Sequence, residues 1–250
     1  MKKLDYISIL AGGKCKFNCD FCVGKDIRKD VKPYFSTKWE SFIECFADMT
    51  NLLSVSGDTS DPSFVKDTLK IPGIAKSFNK DIKVTIHTRN LNVIKAAKNA
   101  GYDSFVFSID ENFNKEMLDT LKKYKDENFD IRLSLVLTDY NFCILDEWSK
   151  SFKEIFDFKM TIRPEVKLAK DEAMNWTLYS AFLNIRSKKY KSPYDSKKYI
   201  TKMENGAIKL KRFPNVWYWD YNATNPKLDV RYLFSDGTIA GNCQWGKDKK

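Results

Sequence analysis

The segment Cys15-Lys16-Phe17-Asn18-Cys19-Asp20-Phe21-Cys22 places three cysteines at a C-x3-C-x2-C spacing, with Phe21 directly before the last. Thiolate is a soft ligand that suits iron–sulfur clusters or zinc. A cubane cluster has four irons, and one Cys normally holds each. Three thiols on one loop account for three irons and leave the fourth open, unless a distant residue supplies a ligand. An open iron is a liability in an electron carrier and a requirement in an enzyme that binds substrate at iron.

No other residue obviously completes the set. Cys45, Cys143 and Cys243 are scattered, and the single histidine, His87, lies far along the chain. A structural zinc site needs four closed ligands, so zinc would require one from afar. Met1-Lys2-Lys3 runs straight into a strand-like stretch with no apolar leader. A reducing cytosol is then the expected compartment, and disulfides are disfavoured.

Outward from the loop, apolar β-rich runs alternate with helical patterns. Leu4 to Leu10, Asn51 to Ser56, Ile82 to His87, Ser104 to Ile109, Ile131 to Leu137 and Phe158 to Arg163 read as strands. Between them lie helical patterns. The first carries Trp39, Phe42, Ile43 and Phe46 behind a cap at Ser36 or Thr37. The next runs from Asp61 to about Asn79 with a break near Pro72-Gly73, and others cover about 90–99, 112–127, 142–156 and 171–188. Six strand–helix units imply a parallel sheet with helical, right-handed crossovers. Periodicity leaves an open barrel and a doubly wound sheet equally possible.

The spacing, the aromatic before the third Cys and the place after a first apolar strand resemble the radical S-adenosylmethionine (SAM) superfamily. The resemblance covers about residues 4 to 190 and implies an α/β fold, a partial (β/α)6 TIM-like barrel. The barrel is expected over 1–190; after Lys188 the pattern changes, and turn dipeptides with strand-like runs suggest a small β-rich extension, 191–250, over the barrel mouth or edge. The resemblance implies a [4Fe-4S] cluster on Cys15, Cys19 and Cys22, with SAM chelated at the open iron. One electron then cleaves SAM to a 5'-deoxyadenosyl radical, which abstracts hydrogen from a substrate.

Sites in such barrels lie at the C-terminal ends of strands. After the second strand comes Ser56-Gly57-Asp58-Thr59, where the family carries a Gly-Gly-Glu-like motif for the SAM amino group. Ser56 replaces a Gly and Asp58 the longer Glu. A plainer reading makes Asp58, Ser60 or Asp61 a helix cap. After the third strand stand His87, an acid–base candidate, and Arg89, which could bind the SAM carboxylate or an anionic substrate. Ser108 and Asp110 share a face by alternation, and the resemblance places them at the SAM ribose or carboxylate. The resemblance also places Thr138 and Asn141, after the fifth strand, and Arg163, at the end of the sixth, at positions that contact SAM in relatives. Phe21 belongs to the cofactor loop.

The tail, Phe234-Ser235-Asp236-Gly237-Thr238-Ile239-Ala240-Gly241-Asn242-Cys243, is similar to the opening of the cysteine-rich C-terminal domains of some radical SAM peptide-modifying enzymes. Only Cys243 lies beyond Cys143, so a second cluster is not expected. Cys243 is either a buried small apolar residue or a hydrogen-atom donor near substrate. Asn205-Gly206 and Asp236-Gly237 are turn dipeptides, with strand-like Val216 to Trp219 and Val230 to Phe234 between them.

The chain has 250 residues, 43% hydrophobic, and a formal net charge of +10. No apolar run approaches a membrane span. The positive charge fits an anionic partner such as a nucleotide or nucleic acid, a solvated lysine-rich surface, or a docking face for an acidic electron donor such as flavodoxin or ferredoxin. Two substrate classes stay open: a nucleotide or nucleic-acid base, with tail aromatics to stack on bases, and a peptide or protein. A non-enzymatic iron–sulfur or zinc protein is the reading outside catalysis.

Overall fold

The computed structural model describes residues 3–17, 19, 21–22, 37–138, 141, 144–165, 200–204, 207–210, 214–219 and 229–241. The chain divides into two compact units: Met1–Phe107 with Lys125–Asp130 and Leu228–Lys250, and Ser108–Tyr124 with Ile131–Lys227. The expected boundary near residue 190 lies outside the described residues.

The first unit is built on β1 (Tyr6–Ala11), β2 (Leu52–Gly57), β3 (Lys83–Thr88) and β4 (Ser104–Ile109). These neighbour one another in chain order and pair in parallel, with Ile9 opposite Val55, Val55 opposite Ile86 and Ile86 opposite Phe105. Parallel strands need crossovers. They are supplied by α1 (Trp39–Phe46), by α2 (Ile71–Phe78) and by α3 (Ile94–Asn99). Alternation sorts the two faces of the sheet. Ile7, Ile9, Leu53, Val55, Val84, Ile86 and Phe105 are at most 1% exposed. Each contributes about 1.5–3 kcal/mol by leaving water. Ser54, Ser56, Thr85 and His87 alternate with them and are half-buried, and Thr85 and Ser104 share a hydroxyl hydrogen bond of 2.5 Å.

Two local expectations change. Lys38 occupies the cap position of α1 without a side-chain cap, and Ser36 lies outside the described residues. The 61–79 segment is not one helix broken at Pro72. It is two 3-10 turns, Pro62–Phe64 and Lys66–Lys70, followed by α2. Pro72 sits in the first turn of α2, where its missing N–H costs nothing. Gly101 closes α3 at φ +90°, a conformation glycine adopts freely.

The strand β10 (Val230–Leu233) returns to this first unit. It pairs in parallel with the outer edge of β1, setting Ser8 opposite Tyr232. The turn at Asp236-Gly237 then leads antiparallel into β11 (Ile239–Ala240), with Gly237 at φ +82°. The unit's strand order is β11-β10-β1-β2-β3-β4, an open series.

In the second unit β5 (Asp130–Leu137) pairs in parallel with β6 (Lys159–Pro164), and β6 with β9 (Val216–Trp219). An antiparallel run of β7 (Ile200–Glu204), β8 (Ala207–Leu210) and β9 completes it, in the open order β5-β6-β9-β8-β7. Its helices are α4 (Lys115–Asp126) and α5 (Ile144–Ser151). Phe113 packs edge-on to Trp148 at 5.6 Å between ring centroids. The expected helix at 171–188 lies outside the described residues. Taken together, the strands are mostly parallel, and among the described residues no helix is long and apolar enough to cross a membrane.

Candidate functional site

The cysteine loop leaves the C-terminal end of β1 and is pinned at once to the end of β2. The Ala11 carbonyl accepts from the Asp58 and Ser60 N–H groups at 2.9 and 3.3 Å. The Gly13 N–H donates to Thr59 Oγ1 at 3.2 Å. Gly13 has φ +141°, which a side chain would strain. The Ser56–Thr59 turn expected to serve the cofactor therefore first anchors the loop. Gly57 is required there by packing, because a Cβ would stand 2.5 Å from the Ser60 carbonyl oxygen.

Cys15, Cys19 and Cys22 are half-buried free thiols, and the Cys22 N–H donates to the Cys19 carbonyl at 3.3 Å. Burial pushes the Cys19 thiol up, the Arg89 guanidinium opposes this, and Cys22 and Cys15 add to it. Among the described residues no three His, Cys, Asp or Glu side chains converge on a single metal-ion position. A four-iron cluster takes one thiolate per iron, whereas one zinc ion draws its donors to about 2.3 Å. The chemistry of the donor set, three soft thiolates on one loop, suits an iron–sulfur cluster. Cys243 lies outside the described residues.

Arg89, which comes directly after β3, reaches the same loop. Its Nη1 donates to Cys19 Sγ at 3.1 Å. The guanidinium carbon stands 5.3 Å from the Phe21 ring centroid and 6.0 Å from that of Phe17. Phe17 in turn rests on Phe64 at 5.2 Å.

Asp61 sets the start of this arm, beyond the capping expected of it. Its Oδ1 accepts from the Ser63 N–H at 2.9 Å and from the Thr88 hydroxyl at 2.6 Å. Its Oδ2 accepts from the Arg89 N–H at 2.8 Å. The signal for this contact was topological: consecutive parallel strands are usually neighbours, so the loop after β2 meets the loop after β3.

Asp58 is 5% exposed. Its Oδ2 accepts from the Ser235 hydroxyl at 2.6 Å and the Ser235 N–H at 3.1 Å. Ser235 lies 177 residues away, is 0% exposed, and carries no local signal of this role. His87 is half-buried on the polar face of β3.

The remaining candidates belong to the second unit. Ser108 is half-buried, and Asp110 accepts from the Asn112 N–H at 2.9 Å, capping a turn. Asn141 is buried. Its Oδ1 accepts from the Thr138 N–H at 2.8 Å and its Nδ2 donates to the Val136 carbonyl at 3.0 Å. Both ends of the amide thus tie off the end of β5. Arg163 is exposed on β6.

No family model and no curated protein matches the sequence. Solved structures do match in fold. Streptococcus suis SuiB bound to S-adenosylmethionine superposes with TM-score 0.60 at 14% identity over 100% of this chain and 62% of that one. SuiB bound to the precursor peptide SuiA gives 0.57 at 14% identity, covering 100% and 64%. Native anSMEcpe with bound AdoMet and Cp18Cys peptide gives 0.56 at 14%, covering 96% and 74%. The chain therefore spans less than two thirds of the length of SuiB. At these identities the likeness establishes the fold: an open, mostly parallel α/β sheet flanked by helices.

Proposed function

We propose that this protein is a radical SAM enzyme that binds a [4Fe-4S] cluster on Cys15, Cys19 and Cys22. The observation that carries the reading is the loop itself: three half-buried thiols at C-x3-C-x2-C spacing, directly after the C-terminal end of β1. The fold shared with proteins solved with S-adenosylmethionine supports it. When bound, the cluster supplies one-electron reductive cleavage of SAM. The chain's own part is to present the thiols, hold the loop on the Ser56–Thr59 turn, and shelter it with Phe17, Phe21 and Phe64.

Anaerobic reconstitution tests this. Wild type should show the broad visible absorption of a [4Fe-4S] protein and, when reduced, its EPR signal. Dithionite with SAM should yield 5'-deoxyadenosine. Cys19→Ala should lose the spectrum and the product. A wild type that builds no cluster, or a Cys19→Ala variant with an unchanged one, sinks the reading.

For substrate, a peptide or protein has the firmer support, since the fold recurs in proteins solved with peptides. The rival nucleotide or nucleic-acid reading rests on the net charge of +10. Affinity for RNA or DNA that falls steeply with salt would favour the rival. Salt-insensitive capture of a short peptide would favour the first. A small acidic flavodoxin or ferredoxin is the proposed electron donor, and a cytoplasmic location is proposed with it.

A further inference from the structure

We infer that Arg89 is a positioning residue that sets the reduction potential of the cluster through the Cys19 sulfur, rather than a ligand for the SAM carboxylate. The inference rests on the radical SAM reading and goes beyond it to a role for one side chain. Three observations carry it. Nη1 donates to Cys19 Sγ at 3.1 Å, so the cation already engages a cluster ligand. Its guanidinium stands within cation–π range of Phe21 and Phe17. The backbone from which the arm extends is held by Asp61, through the Thr88 hydroxyl and the Arg89 N–H.

The effect comes from charge. One electron arriving from an external one-electron donor adds a negative charge to the site, and no bond forms or breaks. A fixed cation and a hydrogen bond at a ligating sulfur favour that reduced state. Half-burial limits screening by water. Lysine would keep the charge but lack the planar fork that reaches sulfur and lies on a ring at the same time.

The test uses the full chain, reconstituted anaerobically and without SAM, in an EPR-monitored redox titration. Wild type is compared with Arg89→Lys, Arg89→Gln and Arg89→Met. In the Gln and Met variants the reduced-to-oxidised ratio at a fixed potential should fall about tenfold, or 59 mV for a one-electron couple. Arg89→Lys should show less than half that shift. Affinity for SAM, measured separately, should stay within twofold of wild type. Intact clusters with unchanged potentials overturn the inference. So does an unchanged potential with a tenfold loss of SAM affinity, which returns Arg89 to the carboxylate. Loss of the cluster in all three variants also overturns it, since Arg89 would then serve assembly alone. A wild type that builds no cluster overturns the radical SAM reading itself, and this inference falls with it.

Discussion

Replacing Asp61 by Ala removes one carboxylate and three hydrogen bonds. The Ser63 N–H loses its cap, worth about 1 kcal/mol. The Thr88 hydroxyl and the Arg89 N–H lose their acceptor, at about 1 kcal/mol each once exchange with water is counted. Thr88 is only 2% exposed, so water cannot easily replace the carboxylate there. The sum is about 3 kcal/mol, which for a chain of this size lowers the melting temperature by roughly 6–12 °C. Thr88→Val removes one of the three bonds and also the acceptor of the Asn90 N–H at 2.9 Å, so it should cost about 2 kcal/mol. Asp61→Asn keeps an acceptor oxygen on one side only and turns an NH2 group towards a donor, so it should recover little. The assay is thermal unfolding followed by far-ultraviolet circular dichroism at pH 7. A second readout joins stability to chemistry. Freed of its anchor, the Arg89 backbone no longer aims the guanidinium at Cys19. Asp61→Ala should therefore shift the cluster potential in the same direction as Arg89→Met. A melting temperature within 2 °C of wild type would refute the stability argument.

Two glycines should respond in opposite directions to alanine. Gly57→Ala drives a Cβ to 2.5 Å from the Ser60 carbonyl, a backbone atom that can move only by displacing the Asp58–Asp61 turn. It should cost about 1–3 kcal/mol. Gly73→Ala lies within α2, where an added Cβ meets nothing within 4 Å, and should raise stability by about 0.5–1 kcal/mol. The two melting temperatures should fall on either side of wild type. Asp103 supplies a dependence on pH. Burial opposes its ionisation, but the Val84 N–H and the Lys76 and Lys83 ammonium groups outweigh it and hold the carboxyl below the usual range. A lowered folded value stabilises above the ordinary carboxylate pKa and is lost as pH falls through the folded value. The stability gap between wild type and Asp103→Asn should thus be constant near neutrality and shrink below about pH 4. A gap that does not change with pH would show that the carboxylate charge is not what matters there.

The parallel strands were legible because each is a short apolar run bounded by turns, and β4 falls at the expected residues. Helix boundaries were less so. Asp61, Pro62 and Pro72 all suggest punctuation, yet only the surroundings decide between one helix and two 3-10 turns before α2. The cysteine loop was legible as chemistry from its spacing. Its neighbours were not, because Arg89 meets Cys19 across 70 residues and Ser235 meets Asp58 across 177. No local pattern encodes such contacts. The return of β10 to β1 was equally hidden, since a strand-like run does not declare which edge it will join.

That return has a consequence for how the protein is made. The hydrogen-bonding partner of β1 on its outer edge is β10, so residues 12–229 must all be made before it appears. At roughly 5–20 residues per second, the earlier strands wait several seconds or more beside an open edge. An exposed strand edge is a template for foreign pairing. The nascent chain thus carries its hazard at the strand that leads into the cysteine loop, and chaperone cover during synthesis matters most there.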